Sequence, residues 1–176
     1  MPLLLALVLF AGDSYPSYFK ADQKISADII LDQVNKLSVD PHFYMAIAWV
    51  ESRVKTGRVS HTGDYGLFQI NYNFWGKKCG YKDRKKFLKG TWARERNLDK
   101  KFLKDMSNPK HAVVAATIVL NEMKKYKACE GLHLAACYNG GPNWRNSKNK
   151  DKILKYANRV NCLAQAYRNK FPDWIK

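Results

Sequence analysis

The stretch from residue 43 to residue 71, FYMAIAWVESRVKTGRVSHTGDYGLFQIN, constrains the fold more than any other part of the chain. Residues 43–50 are apolar on every side, so a helix formed by them must be buried all round. Glu51 is the first charged residue after this run, and it stands at the end of the helix. Because burial disfavours the charged form of a carboxylate, the pattern predicts a raised pKa for Glu51 and a proton held near neutral pH.

The second half of the stretch, GDYGLFQIN, predicts a short strand or loop that lines a cleft. Its two amides, Gln69 and Asn71, would supply hydrogen-bonding groups near Glu51. Asp64 adds a second carboxylate, which allows a glycosidase mechanism in which one acid protonates and the other acts as nucleophile or base. The position fits at least as well a residue that caps a turn by bonding nearby backbone amides.

Length and composition favour one globular domain. The 176 residues are enough to bury a core, and 46% are hydrophobic and 13% aromatic, which is not the composition of a disordered chain. We expect the domain to occupy residues 13–176. Residues 1–12, MPLLLALVLFAG, are apolar but too short to span a membrane, and they are typical of a signal-peptide core. The alternative is an uncleaved N-terminal strand or helix packed on the domain.

The charge balance predicts an anionic partner or surface. The chain has 31 Lys and Arg against 15 Asp and Glu, a formal charge of +16. Nucleic acid, anionic lipid and acidic cell-wall polymer all fit this charge. We find neither an aromatic RNA-binding signature nor a DNA-binding motif, so specific nucleic-acid recognition is not expected.

The four cysteines permit two disulfides in three connectivities, and the sequence does not choose among them. No two of them are spaced as CxxC and only four His are present, so no metal site is expected. Bridges are favoured in an oxidising compartment, and buried thiols in the cytosol. The cysteines are Cys79, Cys129, Cys137 and Cys162.

The rest of the chain reads as helices separated by polar segments. Asp40-Pro41 and Asn108-Pro109 are start signals for two of them. Another would end at Tyr138 and Asn139, where the sequence stops abruptly at Gly-Gly-Pro and side chains can face a cleft. Residues 75–105 lack a clean period and predict an irregular or short-helix insertion with a solvated basic face. Apolar stripes predict a first helix through Ile25, Ile29, Ile30, Val34 and Leu37, and a last one through Ile153, Tyr156, Ala157, Val160, Leu163, Ala164 and Tyr167.

Four pieces, in this order, resemble the catalytic domain of soluble lytic transglycosylases, relatives of goose-type lysozyme. Glu51-Ser52 after AIAWV is similar to the catalytic Glu-Ser of the family, and residues 66–71, GLFQIN, to its Gly-Leu-Met-Gln-Ile pattern. Residues 136–142, ACYNGGP, resemble Ala-Tyr-Asn-x-Gly-Pro, with Cys137 standing where the family usually has Ala. Tyr156 followed by Val160 completes the set. The resemblance implies a lysozyme-like α+β domain, mostly α, with a small β element lining the cleft.

The resemblance also implies a chemistry. Glu51 would act as general acid and then as base in cleaving the β-1,4 bond between N-acetylmuramic acid and N-acetylglucosamine, leaving 1,6-anhydro ends, without a cofactor or a carboxylate nucleophile. Asp64 then becomes a secondary candidate. The residues expected to hold the sugar or Glu51 are Ser52, Gln69, Asn71, Tyr138, Asn139 and Tyr156, with Phe68 as a wall of the cleft.

Two other interpretations stay open. A lysozyme would hydrolyse the same bond with water, with Asp64 as the second carboxylate. A non-catalytic cell-wall or nucleic-acid binding protein would keep the fold, although such a protein needs no acid at the end of a buried helix. We expect a monomer whose partners are peptidoglycan strands and other anionic envelope polymers. It would meet them outside the cytoplasm, in the periplasm, after secretion or by phage delivery.

Overall fold

The computed structural model describes residues 14–81 and 100–175. The predicted signal segment, residues 1–12, and most of the predicted basic insertion lie outside the described residues. The described part is mostly helical with one small two-stranded sheet, which is the lysozyme-like α+β class. Its α-helices are α1 (Ala21–Lys36), α2 (Pro41–Ser52), α3 (Tyr72–Trp75), α4 (Lys100–Ser107), α5 (Pro109–Met123), α6 (Leu134–Gly140) and α7 (Lys150–Lys170).

Helix α2 is the centre of the core and has sharply defined ends. At its start the Asp40 carboxylate accepts hydrogen bonds from the backbone N–H groups of His42 and Phe43, and Pro41 occupies the first turn, as the sequence predicts. At its end Arg53 and Val54 both have left-handed backbone angles, with φ of 59° and 55°. A β-branched residue adopts φ > 0 only under tertiary constraint, and Val54 is buried. The helix therefore stops within one turn of Glu51.

Helix α7 packs along α2 and α6 and forms the second half of the core. Its predicted stripe is buried at Ile153, Ala157, Val160, Ala164 and Tyr167. Helices α5 and α1 pack on each other, and α1 also packs on α2. The bundle thus holds α2 between α1 and α7.

The predicted core stripe of α1 is correct at its centre and wrong at its ends. Ile30 and Val34 are buried, but Ile25 is 63% and Leu37 38% exposed. The buried face instead includes Ala27 and Leu31. At 100° per residue, Ile25 projects away from that face, while Leu37 lies beyond the last helical residue.

The small sheet is a hairpin within GDYGLFQIN, the stretch for which the sequence predicts a short strand or loop. Strands β1 (Asp64–Tyr65) and β2 (Ile70–Asn71) are antiparallel, with Asp64 opposite Asn71. Gly66, in the turn, has φ of 72°, and a Cβ there would lie 1.9 Å from the carbonyl oxygen of Met106. Glycine is therefore required for the hairpin to sit directly on α4.

One disulfide forms where the cysteine count permitted two. Cys129 and Cys137 are bridged with a Cα–Cα distance of 5.6 Å, joining a 3₁₀ helix (Lys127–Cys129) to α6. Cys79 and Cys162 are free thiols. Cys79 follows α3, whereas Cys162 lines a separate groove formed by residues of α2, α5 and α7. Among the described residues, no helix is long and apolar enough to cross a membrane.

Candidate active site

A cleft of about 740 Å³ lies between the hairpin and the α5–α6 side of the bundle. One wall consists of the end of α2, the hairpin and α3, and the other consists of the end of α5 and the end of α6. The predicted site residues that line it are Glu51, Asp64, Gln69, Asn71, Tyr138 and Asn139. The stretch around residue 51, the hairpin motif and the Asn-Gly-Gly-Pro segment therefore converge in space, as the sequence predicts.

Glu51 lies half-buried in the last turn of α2 with its carboxyl group at the cleft. Its Oε1 atom accepts a hydrogen bond of 2.7 Å from the hydroxyl of Tyr156. Burial raises the pKa of Glu51 to about 7, and the Tyr156 hydrogen bond opposes this rise. The negative charge of Asp64 raises the pKa further and the charge of Arg58 lowers it. Glu51 thus holds a proton near neutral pH, which a general acid requires.

Two tyrosines fix the surroundings of Glu51 from α6 and α7. Tyr138 donates from its hydroxyl to the Phe68 carbonyl oxygen at 2.7 Å, which ties α6 to the hairpin. Burial, followed by the charge of Glu51, raises the pKa values of both Tyr138 and Tyr156 well above the ordinary value. Both hydroxyls therefore remain hydrogen-bond donors at neutral pH.

Asp64 lies in the same cleft but is held by polar side chains of its own hairpin. Its carboxylate accepts hydrogen bonds from the hydroxyls of Ser60, at 2.6 Å, and Thr62, and from the Asn71 side-chain amide, at 2.7 Å. Within the described residues these partners are side chains, not the backbone amides expected of a turn cap. The carboxylate nevertheless borders the cleft, so the second-carboxylate interpretation keeps a geometric basis.

Gln69 stands in a strained conformation at the start of β2. Its φ is 49°, which is uncommon for a residue other than glycine. Its Nε2 atom donates to the carbonyl oxygens of Gly66, at 2.8 Å, and Arg58, at 3.2 Å, so the side chain crosses the turn and braces it. Residues held in this way cluster at functional sites because the surrounding structure must support the strain.

The end of α6 is pressed against α7 at Gly140. A Cβ at this position would lie 2.5 Å from Cδ1 of Ile153 and 3.0 Å from Cβ of Trp144. A side chain here would have to displace Ile153 and Trp144, so glycine favours this close approach, and Tyr138 and Asn139 line the cleft together with Glu51. Gly140 of the Asn-Gly-Gly-Pro segment therefore contributes to helix packing as well as to the end of α6.

The comparison with known families agrees with this geometry. The model of the transglycosylase SLT domain matches residues 28–161, which include all of the residues described above. The chain belongs to this family. No curated protein and no solved structure gives a significant match. Membership identifies a lytic transglycosylase catalytic domain with peptidoglycan as substrate, a polymer that lies outside the cytoplasm.

Three residues predicted to form the binding cleft of the SLT domain do not line it. Ser52 is completely buried, and its hydroxyl donates to the carbonyl oxygen of Ala48 inside α2, so it cannot touch a sugar. Phe68 is also completely buried and packs edge-to-face on Tyr44, so it belongs to the core and is not a wall of the cleft. Tyr156 contacts Glu51 from behind instead of lining the cleft.

Sequence reasoning missed part of the SLT domain cleft. Phe74, Trp75, Lys78, Glu122 and Tyr126 also line it. The available signal was the aromatic pair Phe74-Trp75, which comes shortly after the hairpin. It was not recognised because the sequence from residue 75 onward has no clear periodicity. Among the described residues, no group of three or more His, Cys, Asp or Glu side chains could hold a metal ion.

Proposed function

We propose that this SLT domain cleaves the MurNAc-β-1,4-GlcNAc bond of peptidoglycan by transglycosylation, with Glu51 as both acid and base. The observation that carries the proposal is the Glu51 carboxyl group itself. It borders the cleft, has a pKa of about 7, and accepts its hydrogen bond from a neutral hydroxyl. Such a group can give up a proton at neutral pH and take one back.

The first step is proton donation to the leaving oxygen. Because Oε1 accepts the Tyr156 hydrogen bond, the proton of the neutral carboxyl is assigned to Oε2. Transfer of this proton to the glycosidic oxygen accompanies breaking of the bond to C1 of the muramic residue, where oxocarbenium character develops. The Tyr156 hydrogen bond favours the ionised carboxylate and therefore stabilises Glu51 once the proton has left.

The second step closes the anhydro ring and restores the acid. The oxygen of the substrate's own N-acetyl group stabilises the cation at C1, so no carboxylate nucleophile is needed. The ionised Glu51 takes the proton of the muramic 6-hydroxyl, and the O6–C1 bond forms. Both groups belong to one sugar, so orientation replaces the binding and activation of water. Glu51 ends protonated, as it began.

The polar side chains of the cleft supply that orientation in this proposal. Gln69, Asn71 and Asn139 line the cleft and carry amides that can bind sugar hydroxyl and N-acetyl groups. Tyr138 holds α6 on the hairpin, and Tyr156 holds Glu51. Tyr156 is therefore a positioning residue for the acid.

A hydrolytic lysozyme is the second candidate, and the position of Asp64 favours it. Asp64 borders the same cleft as Glu51, and its charge contributes to the raised pKa of Glu51. In that mechanism Asp64 would act as nucleophile or base, and water would complete the reaction. A protein that only binds the wall would use the same cleft without cleaving.

Mass spectrometry of digested peptidoglycan distinguishes these functions. Transglycosylation gives muramic ends lighter by one water than the reducing ends left by hydrolysis. We expect anhydro ends with the unaltered protein and no new ends with Glu51→Gln. Reducing ends would contradict transglycosylation and support the lysozyme mechanism. Glycan that stays intact would indicate a protein that only binds the wall.

A further inference from the structure

Two exposed aromatic side chains line the cleft and have no role in the proposed chemistry. Phe74, in α3, is 76% exposed, and Tyr126, just after α5, is 43% exposed. They stand on the two different walls, and both line the same cleft as Glu51. A ligand that covered these rings would remove apolar surface from water, which favours binding.

The exposure of Phe74 is built into a fixed piece of backbone. Helix α3 starts at Asn71, whose side chain accepts a hydrogen bond from the Asn73 backbone N–H. Tyr72, next to Phe74, is buried and packs edge-to-face on Phe102 with ring centroids 4.9 Å apart. The backbone is therefore anchored on the core side while Phe74 points away from it. Phe74 lies three residues after Asn71, in the helix that directly follows strand β2.

The two walls are tied together beside these rings. Lys78, beyond α3, forms an ion pair of 2.7 Å with Glu122 of α5, one helical turn before Tyr126. The Lys78 ammonium group also lies 5.6 Å from the centre of the Trp75 ring. Lys78, Glu122 and Trp75 all line the cleft. The ion pair consequently joins the wall that carries Phe74 to the wall that carries Tyr126.

We infer that Phe74 and Tyr126 form an aromatic subsite for a pyranose ring of the bound glycan, distinct from the sugars that flank the cleaved bond. A pyranose ring has a face of C–H groups, and these pack on the negative face of an aromatic ring. In the proposed reaction Glu51, Asn71 and Asn139 serve the reacting sugars, and the two aromatic side chains hold the glycan strand beyond them. The ligand class is an oligosaccharide of N-acetylated hexosamines. This inference rests on the proposed glycan substrate.

Direct binding tests the subsite without relying on cleavage. The probe is the N-acetylglucosamine tetramer, titrated calorimetrically into Glu51→Gln and into double variants that add Phe74→Ala or Tyr126→Ala. Losing a ring that the bound sugar would cover is expected to weaken binding about tenfold for Phe74→Ala and about threefold for Tyr126→Ala. Phe74→Trp should restore the affinity, while Phe74→Leu should not. The matched control is Ile25→Ala, which removes a side chain 63% exposed on α1, outside the cleft.

The outcomes separate this inference from the proposed reaction. Affinity in both aromatic variants equal to that of the Ile25→Ala control would overturn the subsite, as would absence of tetramer binding to Glu51→Gln. Anhydro ends are measured in parallel with the otherwise unaltered protein. Absence of anhydro ends would contradict transglycosylation. A loss of binding in Phe74→Ala that Phe74→Trp restores would still establish the subsite.

Discussion

Helix α2 carries a carboxylate at each end, and the two ends surround it differently. At the N-terminal end, Asp40 accepts two backbone N–H hydrogen bonds and pairs with Arg168 at 2.7 Å. Near the C-terminal end, Glu51 accepts a hydrogen bond from the neutral Tyr156 hydroxyl. The helix dipole favours negative charge at the first end and disfavours it at the second.

This difference separates a carboxylate that serves the fold from one suited to chemistry. The negative charge of Asp40 is stabilised by every group that touches it, so its removal harms the helix. The negative charge of Glu51 is disfavoured by burial and by Asp64, so the folded state keeps the proton instead. Asp40 therefore stabilises the start of the helix, whereas burial of Glu51 at its end costs stability and yields a proton donor.

Neutralising each carboxylate in turn should have the largest effect and tests whether Glu51 and Asp40 have different roles. Glu51→Gln should reduce peptidoglycan cleavage by about a thousandfold or more, since general acid catalysis contributes roughly 10² to 10⁴ and the same group also acts as base. Asp40→Asn should leave turnover within about twofold, because Asp40 lies outside the cleft. Release of soluble muropeptides measures both. A large loss with Asp40→Asn, or retained turnover with Glu51→Gln, would contradict the assignment.

The free energy of unfolding should respond to the same two sites in the opposite way: a change at Glu51 should stabilise the protein, and a change at Asp40 should destabilise it. The folded pKa of Glu51, about 7, lies above its unfolded value of 4.5, so the wild-type protein loses stability as pH rises through this window. Above pH 7 the loss amounts to about 3 kcal/mol, which Glu51→Gln should recover, with little difference at pH 4. Asp40→Ala should instead cost about 1 kcal/mol at pH 7. Urea unfolding at both pH values measures these changes, and a pH-independent effect of Glu51→Gln would refute this linkage.

The neighbours of Glu51 should move its pKa in opposite directions. Removing the Tyr156 hydroxyl with Tyr156→Phe takes away a bond that lowers the pKa, so the alkaline limb of kcat/KM should move to higher pH. Asp64→Asn removes a charge that raises the pKa and should move the limb to lower pH. Tyr44→Phe is the matched control, because its hydroxyl donates to Thr117 and not to Glu51. Shifts of the same sign in the two cleft variants would show that another group controls the profile.

The smallest expected effect concerns the charged surface beside Tyr156 on α7. Lys152, Lys155 and Arg159 are exposed and lie on one side of the helix. If they bind anionic wall polymers, replacing all three with Gln should weaken sedimentation with intact cell wall about tenfold at low salt and leave cleavage of a short soluble glycan unchanged. High salt should have the same selective effect on the wild-type protein. Equal losses on both substrates would exclude this role.

Local signals were enough to predict the elements that build the site. The Asp-Pro and Asn-Pro starts of α2 and α5 and the apolar stripe of α7 are confirmed, because caps and helical periodicity act within a few residues. The short strand predicted within GDYGLFQIN is present as well, as part of a two-stranded hairpin. The raised pKa of Glu51 could be predicted because an all-round apolar helix must be buried.

The remaining features depend on distant partners that periodicity does not specify. Tyr156 and Glu51 are 105 residues apart, and on periodicity alone Tyr156 is only a core residue. Ser52 and Phe68 belong to the right motifs, but their side chains turn inward, which only the packed structure decides. The Cys129–Cys137 pairing and the aromatic subsite likewise depend on how α6, α5 and α3 are brought together.

The most direct test of the central claim is the pKa of Glu51 in solution. Side-chain carboxyl signals of ¹³C-labelled glutamate can be followed by NMR from pH 3 to pH 9 and assigned to Glu51 by their loss in Glu51→Gln. The buried end of α2 should give one carboxyl that titrates at a pKa of about 7. A Glu51 signal that titrates near the ordinary 4.5 would contradict the account, because the cleft would then hold no acid at neutral pH.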